Sequence, residues 1–243
     1  MATLELKDIS KRFQVNGKPL DVLKSISLHG TEGKIICLLG KSGSGKTTLL
    51  NIICGLEKPN SGEASLQGTI GYIPQKDLLL PWRNVLKNVL LPLEIQKKVT
   101  VETISKSKQL LDSLELGLFK NSFPNEISGG MKQKVSYARG LINNPEIVLF
   151  DEPFSAIDFD ARIRLGKEVR SNIVKNKKIG IFVTHNIEEA IAVGDKVIVL
   201  GGQPASIIFE SDINIAEEQR GPTEIRKTLE FQRLFDLIWK VMN

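Results

Sequence analysis

Two cysteines, two histidines, two tryptophans and two tyrosines are all that the 243-residue chain contains of those types. No apolar run approaches the ~18 residues that a bilayer-spanning helix needs. Cys37 and Cys54 sit in apolar runs without C-x-x-C spacing, so they read as small reduced core residues rather than a zinc site. Clusters of metal-ligand types, internal repeats and low-complexity tracts are all missing. The start, Met1-Ala2-Thr3-Leu4-Glu5-Leu6-Lys7-Asp8, alternates apolar and charged residues, unlike a secretory leader, and a cytosolic chain is the expectation. A strong charge imbalance is absent too: 33 Lys and Arg against 28 Asp and Glu leave +5. The basic residues are scattered, and the densest run, Lys175-Asn176-Lys177-Lys178, reads as a solvated loop before a strand, so nucleic-acid binding does not follow.

At 41% hydrophobic, the chain can bury one large core, or a core with an inserted lobe. Residues 3–30 alternate in short bursts (Leu4/Leu6, Ile26/Leu28) split by Asn16-Gly17-Lys18-Pro19, which predicts antiparallel strands. Segments 63–67 and 69–73 read as further strands around Gly68. From about Leu78 to Asn144 the period becomes helical: Val85, Val89 and Leu93 recur on one helix, and Ile104, Leu110, Leu111 and Leu114 on another. After Pro145, the β-branched runs 147–150, 179–183 and 196–200 alternate with helical stretches, the mark of a parallel sheet covered on both faces. The tail from about Ser206 carries less pattern until an amphipathic helix with Leu229, Phe231, Leu234, Phe235, Ile238 and Trp239.

Gly40-Lys41-Ser42-Gly43-Ser44-Gly45-Lys46-Thr47 is a G-x-x-x-x-G-K-[ST] phosphate-binding loop. An eight-residue match of this kind arises by accident in roughly one chain in a hundred of this length. The context argues against accident, because an apolar run (34–39) precedes it as a strand and Thr48-Leu49-Leu50 opens a helix after it. Glycines let the backbone N–H groups form a nest around phosphate oxygens, and the helix N-terminus adds partial positive charge. Lys46 is expected to reach the terminal phosphates, and the Thr47 hydroxyl to ligate Mg²⁺. The chain therefore reads as binding a nucleoside triphosphate.

Asp151-Glu152 ends the apolar run 147–150, at the sheet edge where the phosphate loop also opens. Alone, the pair fits a solvated turn equally well. Beside a phosphate loop, the first carboxylate suits Mg²⁺ and the second suits an attacking water. Ser128-Gly129-Gly130 opens a helix whose apolar face is Met131, Val135, Ala138 and Ile142, and by itself it is an ordinary N-cap.

Ser-Gly-Gly before a helix, some twenty residues ahead of an Asp-Glu pair, resembles the signature loop of ATP-binding cassette (ABC) ATPases. The other motifs of that family follow in order over about residues 3–205. The resemblance implies that Phe13 stacks on adenine, that Gln75 senses Mg²⁺ and faces the membrane partner, and that Ser155-Ala156-Ile157-Asp158 is the D-loop. His185, which a residue-by-residue reading would leave structural, matches the histidine that contacts the γ-phosphate. The implied ATP site comprises Phe13, Gly40, Lys41, Ser42, Gly43, Ser44, Gly45, Lys46, Thr47, Thr48, Gln75, Ser128, Gly129, Gly130 and Asp158. Thr47, Gln75 and Asp151 would hold the metal, and Glu152 and His185 would be catalytic. Three departures stand out: Phe13 where Tyr is usual, Asn186 where Asp is common, and Ile157 for Leu.

Leu79-Leu80-Pro81-Trp82 shortly after Gln75, with Asn88-Val89 and Met131, is similar to the nitrate/sulfonate/taurine importer branch. Trp82 reads as an interface anchor, with simple core filling as the alternative. The expected fold is α/β: a P-loop NTPase core of largely parallel sheet (residues 1–75 and 145–205), an N-terminal antiparallel β subdomain, an inserted helical lobe (76–144) and a C-terminal tail (206–243). The expected function is the ATP-hydrolysing subunit of a bacterial ABC importer, with ATP and Mg²⁺ as cofactors. Its expected partners are a second, head-to-tail copy, membrane permease subunits and, indirectly, a solute-binding protein, with no nucleic acid. It would lie peripherally on the cytoplasmic face of the membrane. A soluble cassette serving DNA or the ribosome is the rival, disfavoured by the lack of a coiled-coil insertion and of a second cassette. An exporter or lipoprotein-release ATPase would share all the ATP chemistry.

Overall fold

The computed structural model describes residues 2–154, 159–221 and 224–242, apart from the side chains at 159–161, 163 and 164. Along the chain, β1 (Thr3–Val15) and β2 (Lys18–Gly30) form an antiparallel hairpin turned by Asn16-Gly17, a pair suited to a two-residue turn. Then come β3 (Lys34–Leu39), α1 (Lys46–Ile53), β4 (Ser61–Gln67) and β5 (Ile70–Ile73). The helical stretch holds α2 (Val85–Ile95), α3 (Val101–Ser113) and α4 (Gly129–Leu141). The remainder alternates β6 (Ile147–Asp151), α5 (Phe159–Lys175), β7 (Ile179–Val183), α6 (Ile187–Val193) and β8 (Lys196–Gly201), then β9 (Ser206–Asp212) and α7 (Leu229–Met242).

Two sheets result. The small one has the order β2-β1-β4 and is antiparallel, and the large one has the order β5-β6-β7-β3-β8-β9. The large sheet is parallel throughout except where β9 runs antiparallel to β8. This is the α/β architecture the sequence implied, with the antiparallel sheet at its N-terminal side.

The strands β3, β6 and β7 read as unbroken apolar runs because both of their faces are covered. Ile36, Leu38, Leu149, Ile181 and Val183 turn to one face, where α1 and the small sheet contribute Leu49, Leu50, Leu4, Leu6 and Ile26. Ile35, Cys37, Leu39, Val148, Phe150 and Phe182 turn to the other, against the helices. That period-two split between two cores follows from the pleat. Cys37 is fully buried and Cys54 half-buried, and both are reduced.

In the inserted stretch, Val85, Val89, Leu93 and Leu111 are buried, together with Val135 and Ala138 of α4. Asn84 caps α2 by accepting from the Lys87 amide at 2.8 Å, and Thr100 with Thr103 forms a capping box on α3. Where the sequence offered little pattern beyond 205, β9 adds the sheet's edge strand, and α7 presses Phe231, Leu234 and Ile238 into the larger core. The basic run 175–178 is only partly the solvated loop expected. Lys178 is buried because its Nζ donates to Asn144 Oδ1 and Pro145 O, each at 2.7 Å.

Candidate functional site

Strand register assembles the site. Leu38 of β3 and Asp151 of β6 both stand opposite Val183 of β7, and Ile73 of β5 stands opposite Phe150. The C-terminal ends of these parallel strands are therefore level, and the segments leaving them converge: the phosphate loop, Asp151-Glu152, Thr184-His185 and Gln75. In open parallel sheets, such strand ends are where ligands bind. A cavity of about 540 Å³ opens there, lined by Val22, residues 42–48, Gln75, Asp151, Glu152 and His185.

The loop can only be built with its glycines. A Cβ on Gly40 would lie 2.3 Å from Ser44 Oγ and 2.7 Å from the Leu200 carbonyl, and Gly45, the N-cap of α1, has φ +78°. Lys46 is 7% exposed and folds back, its Nζ donating to the carbonyls of Gly40 (2.7 Å) and Lys41 (3.0 Å). Burial lowers its pKa, while Glu152 and Asp151 oppose that shift. Ser44 Oγ is buried without a hydrogen-bond partner, a polar atom left over inside the cradle. A cradle of loop N–H groups, a buried amine and an orphan hydroxyl fits a polyphosphate.

Asp151 is 7% exposed, and burial raises its pKa against the hydrogen bond from Tyr72. Its Oδ2 accepts from the Tyr72 hydroxyl at 3.0 Å and faces Thr47 Oγ1 at 3.5 Å. Glu152 adopts a left-handed backbone (φ +46°), and its amide donates to Val183 O at 3.0 Å. Its Oε2 accepts from Gln75 Nε2 at 3.1 Å and lies 3.0 Å from His185 Nδ1. One carboxylate oxygen is thus gripped from both sides by the side chains expected from sequence to work with it. Oxygen donors at Thr47 and Asp151 suit a hard divalent cation.

Not every expected residue gathers here. Phe13 is half-buried in the hairpin with Lys11 Nζ 4.7 Å from its ring centre, and it is not among the cavity's lining, where Val22 stands instead. Ser128 caps α4, accepting from the Met131 amide at 3.3 Å. With Gly129 it is exposed, and neither they nor Gly130 line the cavity. Asp158 and the rest of the D-loop motif lie outside the described residues. Asn186 serves where Asp was expected, because its Oδ1 caps α6 by accepting from the Glu189 amide at 3.0 Å, a task Asn and Asp perform equally.

Trp82 is 72% exposed, which answers the question left open by sequence: it is not core filling. Its loop is nonetheless rigidly held. The fully buried Asn88 accepts from the Leu80 amide (2.8 Å) and donates to the carbonyls of Leu80, Arg83 and Asn84. Arg139 of α4 donates to the carbonyls of Leu78 (2.8 Å) and Asp77 (2.6 Å), tying the segment after Gln75 to the helix that Ser128 caps. Sequence reading gave no role to Tyr72 or Val22. On the far side of the phosphate loop, α7 brings Phe235, Trp239 and Met242 to a second cavity of about 520 Å³ shared with Gly40–Ser42 and His185.

Comparison with known proteins agrees with this geometry. Residues 23–155 match the family model described as ABC transporter. The chain is 38% identical to the uncharacterized ABC transporter ATP-binding protein YtlC of Bacillus subtilis, over 100% of this chain and 96% of that one. It is 34% identical to the nitrate import ATP-binding protein NrtD of Synechocystis, over 99% and 95%. Other relatives are named as aliphatic sulfonate and taurine import ATP-binding proteins. Among solved structures, the dimeric ATP-binding cassette MJ0796, in a post-hydrolysis state bound to ADP and Pi, superposes with a TM-score of 0.76 at 31% identity. That alignment covers 88% of this chain and 100% of the other.

Proposed function

Because this chain belongs to the ABC transporter family and is one of its ATP-hydrolysing, energy-coupling subunits, we propose that it powers an importer for a small solute of the nitrate, sulfonate or taurine type. The observation that carries the importer reading is Trp82. A large exposed aromatic on a pinned loop, seven residues after Gln75, is the kind of anchor that fills a partner's pocket. Among the described residues no helix is long and apolar enough to cross a membrane, so the spanning partner in this proposal is a separate permease. The cassette would bind at the membrane's cytoplasmic face, with the solute-binding protein reached only through that permease.

The chemistry follows from the grip on Glu152. The loop N–H groups and Lys46 bind the triphosphate, the Lys46 amine leaving its two loop carbonyls for phosphate oxygens. Thr47, with Asp151 and Gln75, would hold Mg²⁺, which would supply neutralisation of the phosphate charge there. Glu152 takes the proton of the attacking water, a contribution of about 10²–10⁴. Gln75 and His185 hold that carboxylate in place, and His185 is positioned to meet the γ-phosphate. Phe13 is the proposed platform for adenine, reached once Lys11 yields the ring.

Ser128 and Gly129 are exposed, and with the half-buried Gly130 they lie outside their own chain's cavity, which supports a head-to-tail pair in which each copy's Ser128 loop and Asp158 complete the partner's site. We divide the chain accordingly into core (1–75 and 145–205), coupling lobe (76–144) and tail (206–243). Copurification from membranes tests the proposal: permease subunits are the expected companions, and recovery with nucleic acid or ribosomes would overturn it.

A further inference from the structure

Behind His185 lies a carboxylate that the chemistry above does not use. Glu189, on α6, is 4% exposed, and its Oε1 is buried without a hydrogen-bond partner. Its Oε2 accepts a hydrogen bond from the Thr184 hydroxyl. That same hydroxyl accepts from the Asn186 amide at 3.0 Å, and the Asn186 side chain accepts from the Glu189 amide at 3.0 Å. Thr184's own amide reaches back to Leu38 O at 3.2 Å, on the strand that feeds the phosphate loop. The bonds close a ring through residues 184, 186 and 189, with 185 between two of its members.

A buried carboxyl is costly to keep. Charge in a low-dielectric site is disfavoured, a half-satisfied polar group is worse than a hydrocarbon of the same volume, and burial does raise this acid's pKa. Leucine would fill the space without that cost. What leucine lacks is an acceptor for the Thr184 proton. Without it the hydroxyl has no fixed direction, and the lone pair that receives the Asn186 amide is no longer aimed. His185 itself has a side chain 60% exposed, and its contact with Glu152 therefore depends on a backbone fixed on both sides.

We propose that Glu189 is a positioning residue for hydrolysis, which holds the Thr184–Asn186 turn so that His185 meets Glu152 and the phosphate loop. The inference rests on the reading of His185 and Glu152 as the γ-phosphate end of the site. The charged and titratable neighbours that act on Glu189 are Arg162 of α5, His185 and Glu152.

Three variants of the full chain test it: Glu189→Leu, Glu189→Gln and, as a reference, His185→Ala. Glu189→Leu removes the acceptor, keeps the volume and relieves the buried carboxyl. It should still fold, relief of the buried carboxyl offsetting the lost Thr184 hydrogen bond, with KM for ATP near the parental value and kcat lower by up to about 10², the scale of a misplaced catalytic group. Glu189→Gln keeps an acceptor for Thr184 and should return kcat most of the way. The chain has two histidines, so the imidazole NMR signals of His29 and His185 are separable. Only that of His185 should move in Glu189→Leu. A Leu variant with parental kcat, or one with an unmoved His185 signal, overturns the proposal. Intact hydrolysis in His185→Ala would instead overturn the reading on which it rests.

Discussion

Tyr72 donates to Asp151 across neighbouring strands at 3.0 Å, on the same oxygen that faces Thr47. The hydroxyl offsets part of the burial that pushes this carboxylate's pKa above 3.8. Because the folded-state pKa is raised, the folded chain binds more protons than the unfolded one in the window just above pH 3.8. The stability of the nucleotide-free chain therefore falls as pH rises through that window, and the cost persists at neutral pH. Asp151→Asn should raise the melting temperature of the nucleotide-free protein and should abolish hydrolysis. An Asn variant that melts lower than the parent would contradict the assigned cause of the shift.

Lys46→Ala should fold and lose nucleotide binding. Among the described residues the amine bonds only to loop carbonyls, so its removal costs the fold little and takes away the buried cation of the cradle. Calorimetric titration with ATP checks this, and near-parental affinity would remove the role given to Lys46.

Glu152→Gln should hydrolyse ATP on the order of 10²–10⁴ more slowly while still binding it. With turnover blocked, ATP should hold two copies together, visible by light scattering. A variant that stays monomeric under saturating Mg-ATP would refute the shared-site arrangement.

Trp82→Ala and Asn88→Ala separate contact from support. Trp82 is exposed, so its removal should leave the melting temperature unchanged and impair permease pull-down and uptake, by about 2 kcal/mol of binding or more. Asn88 is buried with hydrogen bonds to Leu80, Arg83 and Asn84, so its removal should destabilise the isolated chain by about 1–3 kcal/mol. Thermal denaturation run beside the pull-down distinguishes the two.

Arg220→Ala should be among the most damaging single changes. The guanidinium is 2% exposed and donates to the carbonyls of Ile191, Ala192, Gly194 and Ile215, with burial holding its pKa down at about 10. Leaving those carbonyls unpaired should cost about 3 kcal/mol or more, read by urea denaturation.

What was legible in the sequence follows the strength of each local signal. Lys34–Leu39 announced a covered strand because five of its six residues are buried, and the glycine loop after it has no common alternative use. Ser206–Asp212 did not announce itself, because an edge strand is covered on one side only and its burial alternates weakly. The sequence pattern extends the strand back to Thr69, yet the Thr69 amide and hydroxyl go to Glu146, and β5 begins at Ile70. At the site, the phosphate loop and the Asp151-Glu152 pair are legible as residue patterns in their strand context, whereas Gln75 and His185 are legible only through the family resemblance. Tyr72 and Glu189 were invisible: one is an aromatic in a strand, the other an acid in a short helix, and both are the commonest of surface or core choices. Their importance comes from contacts between elements, which no local pattern encodes.

The two tryptophans stand in different surroundings. Trp82 rides the pinned loop after Gln75, and Trp239, stacked on Phe235 at 6.1 Å between ring centres, stands beside Lys41, Ser42 and His185. The protein thus carries its own pair of lamps. With Trp82→Phe, the remaining emitter watches the phosphate loop; with Trp239→Phe, it watches the loop proposed to meet the permease. Intrinsic fluorescence of these two single-tryptophan chains, followed after rapid mixing with ATP, would time the arrival of nucleotide and the response of the Trp82 loop as separate events, with no dye attached.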